Sequence, residues 1–276
     1  MNKDSFGQNP KLQFYKLYLA NKVEEAYRLK FEIIPSRLFR FQPFELKRLK
    51  TLRNNELFLS HAIVFDDPFD SAGIFWDTYE LQTILHKKNQ VRANEDIDQF
   101  IVGMLDDIRK NVATICFSET LFNLPLWATY ADQNKGFVVE YDFKKLRFDE
   151  NLTKFLYPVL YEPRKISARG ALNWLFDNLG KSNNPLVKVL YFHQFIKHES
   201  WAYQNEWRLI NLEGAQTMKL PFTPTAIYAG VRSSEWAKKR LRTISKQIGC
   251  DFVELKVGGF NDERFVYEII PTRKNA

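Results

Sequence analysis

The chain has 276 residues, of which 45% are hydrophobic and 15% aromatic, and its formal net charge is +7. This length can bury a substantial core, and the aromatic content argues against a disordered chain. The positive charge favours an anionic partner, such as a nucleotide, nucleic acid or an acidic protein surface, without bearing on the fold. Two cysteines, Cys116 and Cys250, are too few for a disulfide scaffold or a four-thiolate zinc site.

Several familiar classes are disfavoured by missing motifs. The four histidines lack metal-binding spacing, no signal peptide opens the chain, and no apolar run approaches the ~18 residues of a membrane span. We therefore expect a cytoplasmic protein with no metal site and no contact with a membrane. Glycine-rich phosphate loops and the Gly-x-Ser-x-Gly elbow are also missing, which disfavours the familiar nucleotide-hydrolysing and esterase classes.

The first third of the chain begins with helical periodicity. Apolar residues recur at helical spacing over residues 10–30, and Pro35 stops any continuation. A short strand at 38–41, a short helix at 44–52 and a second strand at 56–60 follow. We expect the N-terminal helix to form an extension to the domain that comes after it.

The remainder alternates helices and strands. The predicted helices are 73–88, 94–110, 124–131, 165–180, 185–198 and 233–248. The predicted strands are 112–117, 136–141, 155–161, 207–211, 226–228, 251–257 and 265–269. No internal repeat and no low-complexity linker is visible. We therefore predict an α+β fold with a central mixed or antiparallel sheet and helical insertions, in which residues 1–35 form a helical extension and 36–276 a single domain.

The most informative segment is Trp-Ala-Tyr-Gln-Asn-Glu-Trp-Arg at 201–208. Alternation along an extended strand places Gln204, Glu206 and Arg208 on one face. Polar side chains among bulky aromatics are costly to bury unless they face a cleft or a network. We interpret this segment as the first candidate for a functional site, while a purely structural network around Glu206 and Arg208 explains the same residues equally well.

A second cluster is the loop Phe-Asp-Asp-Pro-Phe-Asp at 65–70, directly after a predicted strand. One interpretation is an acidic loop at a cleft. The other is a capped turn pinned by Phe65 and Phe69, and turn chemistry explains every residue of the loop. We therefore predict a mainly architectural loop, and we expect Asp70 to cap the helix that follows.

Three further features have a structural and a functional interpretation. Trp127 and Tyr130 are three residues apart on a predicted helix, so they either stack a planar ligand or belong to the core. Cys116 lies in an apolar strand, which indicates an inert buried thiol. The densest basic run, at 238–242, lies above an apolar stripe, which indicates a solvated helix face more than a nucleic-acid site.

The order of these motifs resembles the bacterial family catalogued as domain of unknown function 2971. The motifs are an Arg-aromatic strand end, Leu-Phe-Leu-Ser, Phe-Asp-Asp-Pro-Phe-Asp, Cys-Phe-Ser, Trp-x-x-Tyr before a Gly, Gln-x-Glu-Trp-Arg and Tyr-Ala-Gly. They span about residues 36–270. The family pattern usually has Asn-Asp-Pro-Phe-Glu at 66–70 and Glu-x-Glu-x-Arg at 204–208, where this chain has Asp66, Asp70 and Gln204. The family looks related to abortive-infection proteins, which implies a phage-defence or toxin-like setting.

The layout is also similar to that of ADP-ribosyltransferases, enzymes that split NAD. Those enzymes place an Arg or His on a first strand, a Ser on a second strand, and a Glu two residues after a Gln or Glu on a later strand. The matching positions in this chain are Arg40, Ser60 and Gln204-x-Glu206. The resemblance implies an ADP-ribosyltransferase-like fold, with NAD as the substrate of a transferase or an NAD hydrolase.

The resemblance also implies a role for each position. Glu206 would bond a ribose hydroxyl and stabilise the positive charge that develops on the ribose, and Arg40 would pair with the pyrophosphate. Trp127 or Tyr130 would stack on nicotinamide, and Gln204 would orient the acceptor. The residues expected to be catalytic are Glu206, Gln204 and Arg40, and those expected to bind NAD are Arg40, Ser60, Trp127, Tyr130 and Arg208.

The alternative is a non-catalytic binding module of a phage-defence or toxin–antitoxin system. Such a module would recognise nucleic acid or a protein partner through its basic surface. The two hypotheses differ in geometry, because NAD chemistry requires Arg40, Ser60 and Glu206 to line one cleft.

Overall fold

The computed structural model describes residues 9–61, 65, 67–75, 77, 79, 83, 99, 102–103, 106–107, 110–167, 192–211, 214–259 and 267–270. The helices are α1 (Pro10–Leu19), α2 (Val23–Ile33), α3 (Leu46–Arg53), α4 (Leu124–Thr129), α5 (Asn151–Lys154) and α6 (Glu235–Ile248), with 3₁₀ helices at Phe143–Lys145 and Glu199–Gln204. The strands are β1 (Leu38–Gln42), β2 (Glu56–Phe58), β3 (Ser60–His61), β4 (Ile74–Phe75), β5 (Ala113–Ser118), β6 (Phe137–Tyr141), β7 (Leu156–Pro158), β8 (Leu160–Glu162), β9 (Ile166–Ser167), β10 (Ile196–His198), β11 (Glu206–Asn211), β12 (Thr217–Lys219), β13 (Ala226–Ala229), β14 (Asp251–Val257) and β15 (Tyr267–Ile270).

One mixed sheet dominates the structure. Within the described residues it has nine strands, in the order β15-β14-β13-β6-β1-β5-β11-β7, with β3 also paired to β5. Neighbours are antiparallel except β13 and β14, which are parallel and connected through α6. A parallel pair needs such a crossover, and this one has the predicted helix with Ser234 as its N-cap and Gly249 as its left-handed C-cap. The predicted α+β single domain with a central mixed sheet is confirmed.

The centre of the sheet is open. β1 and β5 are neighbours, but their only paired position in the described chain is Phe39 with Ser118. In contrast, β1 pairs with β6 at five positions and β5 pairs with β11 at six. Two strands that diverge beyond a single pair leave a gap between them, lined by backbone groups that are outside the ladder. This gap is where the cavity described below lies.

The predicted helix over 10–30 is two helices, because the chain turns between α1 and α2. Asn21 has a φ of 62° there, in the left-handed region that asparagine tolerates better than most residues. α1 then packs against the sheet, where the Tyr15 hydroxyl donates a hydrogen bond to the Pro158 carbonyl at 2.5 Å. The helical spacing of apolar residues runs across the turn in the sequence because each helix has a buried face of its own.

Three other predicted helices contain strands. The residues predicted to begin the helices at 73–88 and 165–180 form β4 and β9, which pair in parallel, and the end of the predicted helix at 185–198 is β10. These strands have two or three residues, too few to show a period of two. Residues 168–191, much of 76–109 and the start of the predicted strand at 265–269 lie outside the described residues.

The sequence predicts that the central strands place nine apolar residues in the core, and the structure agrees for those that it describes: Phe39, Leu57, Leu59, Ile115, Val138, Leu209, Ile227, Val253 and Val266 are the nine. Val253 is half-buried at the edge of this core, and Val266 lies outside the described residues. The fully buried members are Phe39, Leu57, Leu59, Ile115, Val138, Leu209 and Ile227. Close backbone packing beside this core requires Gly136, since a Cβ there would lie 2.2 Å from the Gln42 carbonyl oxygen.

Lys30 is a buried cation between α2 and the sheet. It is 1% exposed, and its ammonium donates to the Lys154 carbonyl at 2.6 Å. The same Nζ lies 4.6 Å from the Tyr27 ring centroid and 4.4 Å from that of Tyr157. No carboxylate pairs with it among the described residues, and burial holds the pKa of Lys30 well below 10.5.

We expect Lys30 to make the free energy of unfolding rise with pH. The unfolded chain regains the ordinary pKa of 10.5, so between the lowered folded-state pKa and 10.5 the unfolded state binds more protons. Lys30→Met should remove this rise. Urea unfolding of both proteins across that pH range measures it, and the difference between them isolates Lys30 from the tyrosines. A difference that does not change with pH would contradict the expectation.

Candidate functional site

A cavity of about 310 Å³ lies in the gap between β1 and β5. Its walls also include the loop before β4, the 3₁₀ helix at Glu199–Gln204 and the start of β11. Six of the seven residues expected to form the site line this one cavity: Arg40, Ser60, Tyr130, Gln204, Glu206 and Arg208. The volume is at the lower end of the ~300–1,000 Å³ typical of ligand sites.

Trp127 is the expected site residue that the structure places elsewhere. It is fully buried, and its indole N–H donates to the Leu121 carbonyl at 2.8 Å. Phe41 and Tyr267 pack edge-on against it. α4 ends at Thr129, and Tyr130 is its C-cap. The core interpretation therefore holds for Trp127, and Tyr130 alone lines the cavity.

Gln204 reaches the cavity by a different route from the one predicted. The expected strand over 201–208 begins only at Glu206, after the 3₁₀ helix. Asn205 joins the two with a φ of 43°, in the left-handed region. Strand alternation applies from Glu206 onward, where Glu206 and Arg208 line the cavity and Trp207 packs into the core.

Arg208 is the centre of a buried charge network. It is 1% exposed, and its two terminal nitrogens donate to the two carboxylate oxygens of Asp70 at 2.7 and 2.6 Å. Its Nε donates to Glu206 Oε1 at 2.7 Å. The planar guanidinium therefore binds one carboxylate on each side. The expectation that Asp70 caps a helix is wrong, because β4 follows the loop and the Asp70 carboxylate is the counter-ion of Arg208.

Lys197 is the second cation of this network. Its Nζ donates to Gln204 Oε1 at 2.8 Å and to Glu206 Oε2 at 3.2 Å, and it lies 3.6 Å from Asp70 Oδ2. Two cations thus balance two carboxylates. Lys197 was not predicted as a site residue, and neither was the pairing of Asp70 with Arg208. The available signal for Lys197 was its position directly after the apolar pair Phe-Ile, since a lysine is rarely buried there without a partner.

The network determines which groups are charged. Burial raises the pKa of Glu206, but Arg208 and Lys197 outweigh it and lower that pKa to about 2, so Glu206 is an anion at neutral pH. Burial, followed by the Glu206 charge, raises the pKa of the Cys116 thiol well above 9.0. Cys116 lies opposite Arg208 in the β5–β11 register and stays protonated, as expected for an inert thiol.

The other wall of the cavity is cationic. Arg40 is half-buried and makes no ion pair within the part of the chain that the structure describes. Burial, reinforced by Arg48, lowers the pKa of Arg40 to about 10, so it remains charged at neutral pH. The buried Nε of Arg48 has no hydrogen-bond partner among the described residues and lies 3.8 Å from a Glu45 oxygen. An uncompensated guanidinium facing a cavity is suited to a phosphate or carboxylate ligand.

Comparison with known proteins supports one of the resemblances. Residues 126–209 match the model of a family described as "Protein of unknown function (DUF2971)". That segment contains Tyr130, Lys197 and the motif at 204–208, but neither Arg40 nor Ser60. No curated protein and no solved structure matches the chain. The likenesses to abortive-infection proteins and to ADP-ribosyltransferases therefore stay predictions.

None of the helices in the described ranges is both long enough and apolar enough to cross a membrane. Among the same residues, no group of three or more His, Cys, Asp or Glu side chains is arranged to hold a metal ion.

We expect Asp70→Asn to lower the free energy of unfolding by about 3–5 kcal/mol, because it leaves buried cations with one carboxylate fewer. Asp67→Asn is the matched control on the same loop. Within the described residues the Asp67 carboxylate accepts one hydrogen bond, from the Phe69 N–H at 2.9 Å, and an amide oxygen can accept the same bond. Urea unfolding of the three proteins measures both effects. Equal losses in the two variants would mean that the loop, and not the ion pair, carries the stability.

We also expect the stability contributed by Glu206 to be lost at acid pH. Glu206 has a pKa of about 2 when folded and 4.5 when unfolded, so its stabilisation is present above pH 4.5 and is lost as the pH falls towards 2. Glu206→Gln cannot titrate. The stability advantage of the wild type over this variant should therefore shrink between these two pH values, as followed by thermal unfolding. An advantage that is constant over this range would show that Glu206 is not the ionised partner of Arg208.

Proposed function

We propose that the cavity binds NAD and cleaves the glycosidic bond between its ribose and nicotinamide, as an ADP-ribosyltransferase or an NAD hydrolase does. One observation carries this proposal: Arg40, Ser60 and Glu206 line a single cavity. These residues belong to three separate strands, so their meeting does not follow from local sequence. NAD cleavage requires these three residues to line one cleft, whereas a binding module does not require it.

The cationic wall provides the phosphate contacts. Arg40 has no acidic partner in the described structure. One of its terminal nitrogens donates a long hydrogen bond, of 3.5 Å, to the Phe58 carbonyl, so its other N–H donors can reach a phosphate, and Arg48 adds a second positive charge beside it. The cavity volume of about 310 Å³ suits one nucleotide half of NAD. The nicotinamide riboside would lie towards Glu206, and the adenosine half would extend beyond the cavity.

Glu206 supplies the negative charge that stabilises the transition state. Loss of nicotinamide leaves positive charge on the ribose, and a carboxylate already fixed in place stabilises that charge without reorganising. Arg208 and Lys197 fix Glu206 and keep it ionised. In hydrolysis, the bond from C1′ to the nicotinamide nitrogen breaks and its electron pair leaves with nicotinamide. The oxygen of a water molecule bonds to C1′ and releases its proton to solvent.

The side-chain amide of Gln204 is held in one orientation, next to where an acceptor would bind. Its Oε1 accepts from Lys197, so its Nε2 is directed at the Tyr130 hydroxyl, 3.4 Å away. The amide therefore presents N–H groups, not an oxygen, next to Tyr130. This arrangement supports a role in hydrogen-bonding an oxygen of the acceptor.

The alternative of a binding module that uses its basic helix is weakened by the contacts of α6. Lys238 pairs with Glu235 at 2.8 Å and with Glu254 at 3.3 Å, and Arg242 also pairs with Glu254. These carboxylates compensate part of the charge that made the run at 238–242 conspicuous. The contacts of the cavity are still compatible with a non-catalytic protein that binds an anion there.

Nicotinamide release by the purified protein tests the proposal. Glu206→Gln should still bind NAD, as measured by thermal shift, and should lose at least about 10²-fold in turnover at matched folded fraction. Glu140→Gln is the control, because Glu140 is equally buried but accepts from Tyr228 outside the cavity. Its turnover should stay near that of the wild type.

Two outcomes would contradict the proposal. If the wild type releases no nicotinamide, with or without protein and nucleic-acid acceptors, the protein is not an enzyme of this class. If wild type and Glu206→Gln release equal amounts, Glu206 has no part in the chemistry and only stabilises the fold.

A further inference from the structure

A second cavity, of about 780 Å³, adjoins the first. The two share Asp67, Lys197 and Trp201, whereas Arg40 and Arg48 line only the first. The second cavity therefore opens from the end of the first that is away from the two arginines. A molecule held there would approach the Glu206 region from the side opposite the proposed phosphate contacts.

Two exposed aromatic rings lie on the wall of this second cavity. Phe69 is 67% exposed and Phe75 is 55% exposed, beside the buried Ile196. Phenylalanine is usually buried, so two exposed rings around a concave surface are suited to contact with a planar ligand. Gly73 packs directly against Ile196 in this wall, since a Cβ at this position would lie 2.3 Å from Ile196 Cβ.

Charged groups surround these rings. Arg164 and Lys165 are exposed and make no ion pair among the described residues, and the Lys165 ammonium lies 6.0 Å from the Phe69 ring centroid. The carboxylates of Asp67 and Glu162 are on the same lining. The surface thus combines aromatic faces, cations for phosphate, and carboxylate oxygens that accept hydrogen bonds from amino groups.

We infer that the second cavity binds a nucleotide unit of a single-stranded nucleic acid. The base would stack on Phe69 or Phe75, and the backbone phosphate would contact Arg164 or Lys165. Asp67 or Glu162 would accept from the amino group of the base, as acidic side chains do with cytosine. An acidic peptide would meet the same cations, but it would leave the rings unused and face two carboxylates. The overall charge of +7 agrees with a nucleic-acid partner.

The strand would be the acceptor of ADP-ribose, a role that rests on the proposed function. A nucleophilic oxygen or nitrogen of the strand would then replace water at C1′, its proton would be released to solvent, and nicotinamide would leave with the electron pair as before. Binding of the strand requires no NAD, so it is tested on its own.

Fluorescence anisotropy with a labelled oligocytidine of about eight nucleotides, whose bases carry the amino group, measures this binding. Phe75→Ala should weaken the wild-type affinity about 5-fold or more, since stacking of one base contributes about 1–3 kcal/mol. Lys165→Ala should reduce the slope of log K against log salt by about 0.7, the value for one phosphate contact on a single strand. Both side chains are exposed, so neither change threatens the fold.

Lys239→Ala on α6 is the matched control, because it removes the same charge from an exposed site of the basic run. It should leave both affinity and salt slope unchanged. The inference is overturned if the wild type does not bind the oligonucleotide, if Lys239→Ala weakens binding as much as Lys165→Ala, or if polyglutamate competes equally well. Oligonucleotide binding without nicotinamide release would retain this site and remove the proposed enzyme, and the reverse result would remove this site alone.

Discussion

The candidate site depends on the burial of one guanidinium, that of Arg208. A charge removed from water is tolerated only when opposite charges and hydrogen bonds replace the solvent. Here the two oxygens of Asp70 lie on one side and Glu206 on the other, and the Gln194 carbonyl accepts at 2.6 Å. The guanidinium therefore joins β11, the loop before β4 and the segment before β10. The first two of these elements contribute walls of the cavity.

The structural and the functional interpretations of Glu206 do not exclude each other. The contacts that tie its strand to the rest of the fold also keep its carboxylate ionised and immobile. An enzyme that stabilises a developing cation needs such a preorganised anion. The charges of Arg208, Lys197, Asp70 and Glu206 balance. The other charged residues of the lining are Arg40, Arg48 and Asp67, in which two guanidiniums outnumber one carboxylate and so favour an anionic ligand.

The sequence predicted well where a signal extends over several residues. The long strands β5, β6, β11 and β14 and the capped helix α6 were all placed, because hydrophobic patterns and caps are local. The two-residue strands β4 and β9 have no such pattern. The left-handed Asn205 moved Gln204 off the strand, and a single turn residue is not visible in an alternation. The pairing of Asp70 with Arg208 joins positions 138 residues apart, and proximity over that distance is a property of the fold.

The single pair between β1 and β5 has a consequence for how the domain opens. On one side of it are β15, β14, β13, β6 and β1, and on the other β5, β3, β11 and β7, and each group has its own continuous ladder. Among the described residues, Phe39 and Ser118 form the only paired position between the two groups, so side-chain packing must couple them. Such an arrangement divides a sheet into two units of local unfolding, whose amides exchange with solvent at different rates. The amides of β1 and β5 that face the gap would exchange before those bonded to β6 or β11, and a molecule filling the gap would join the two units into one.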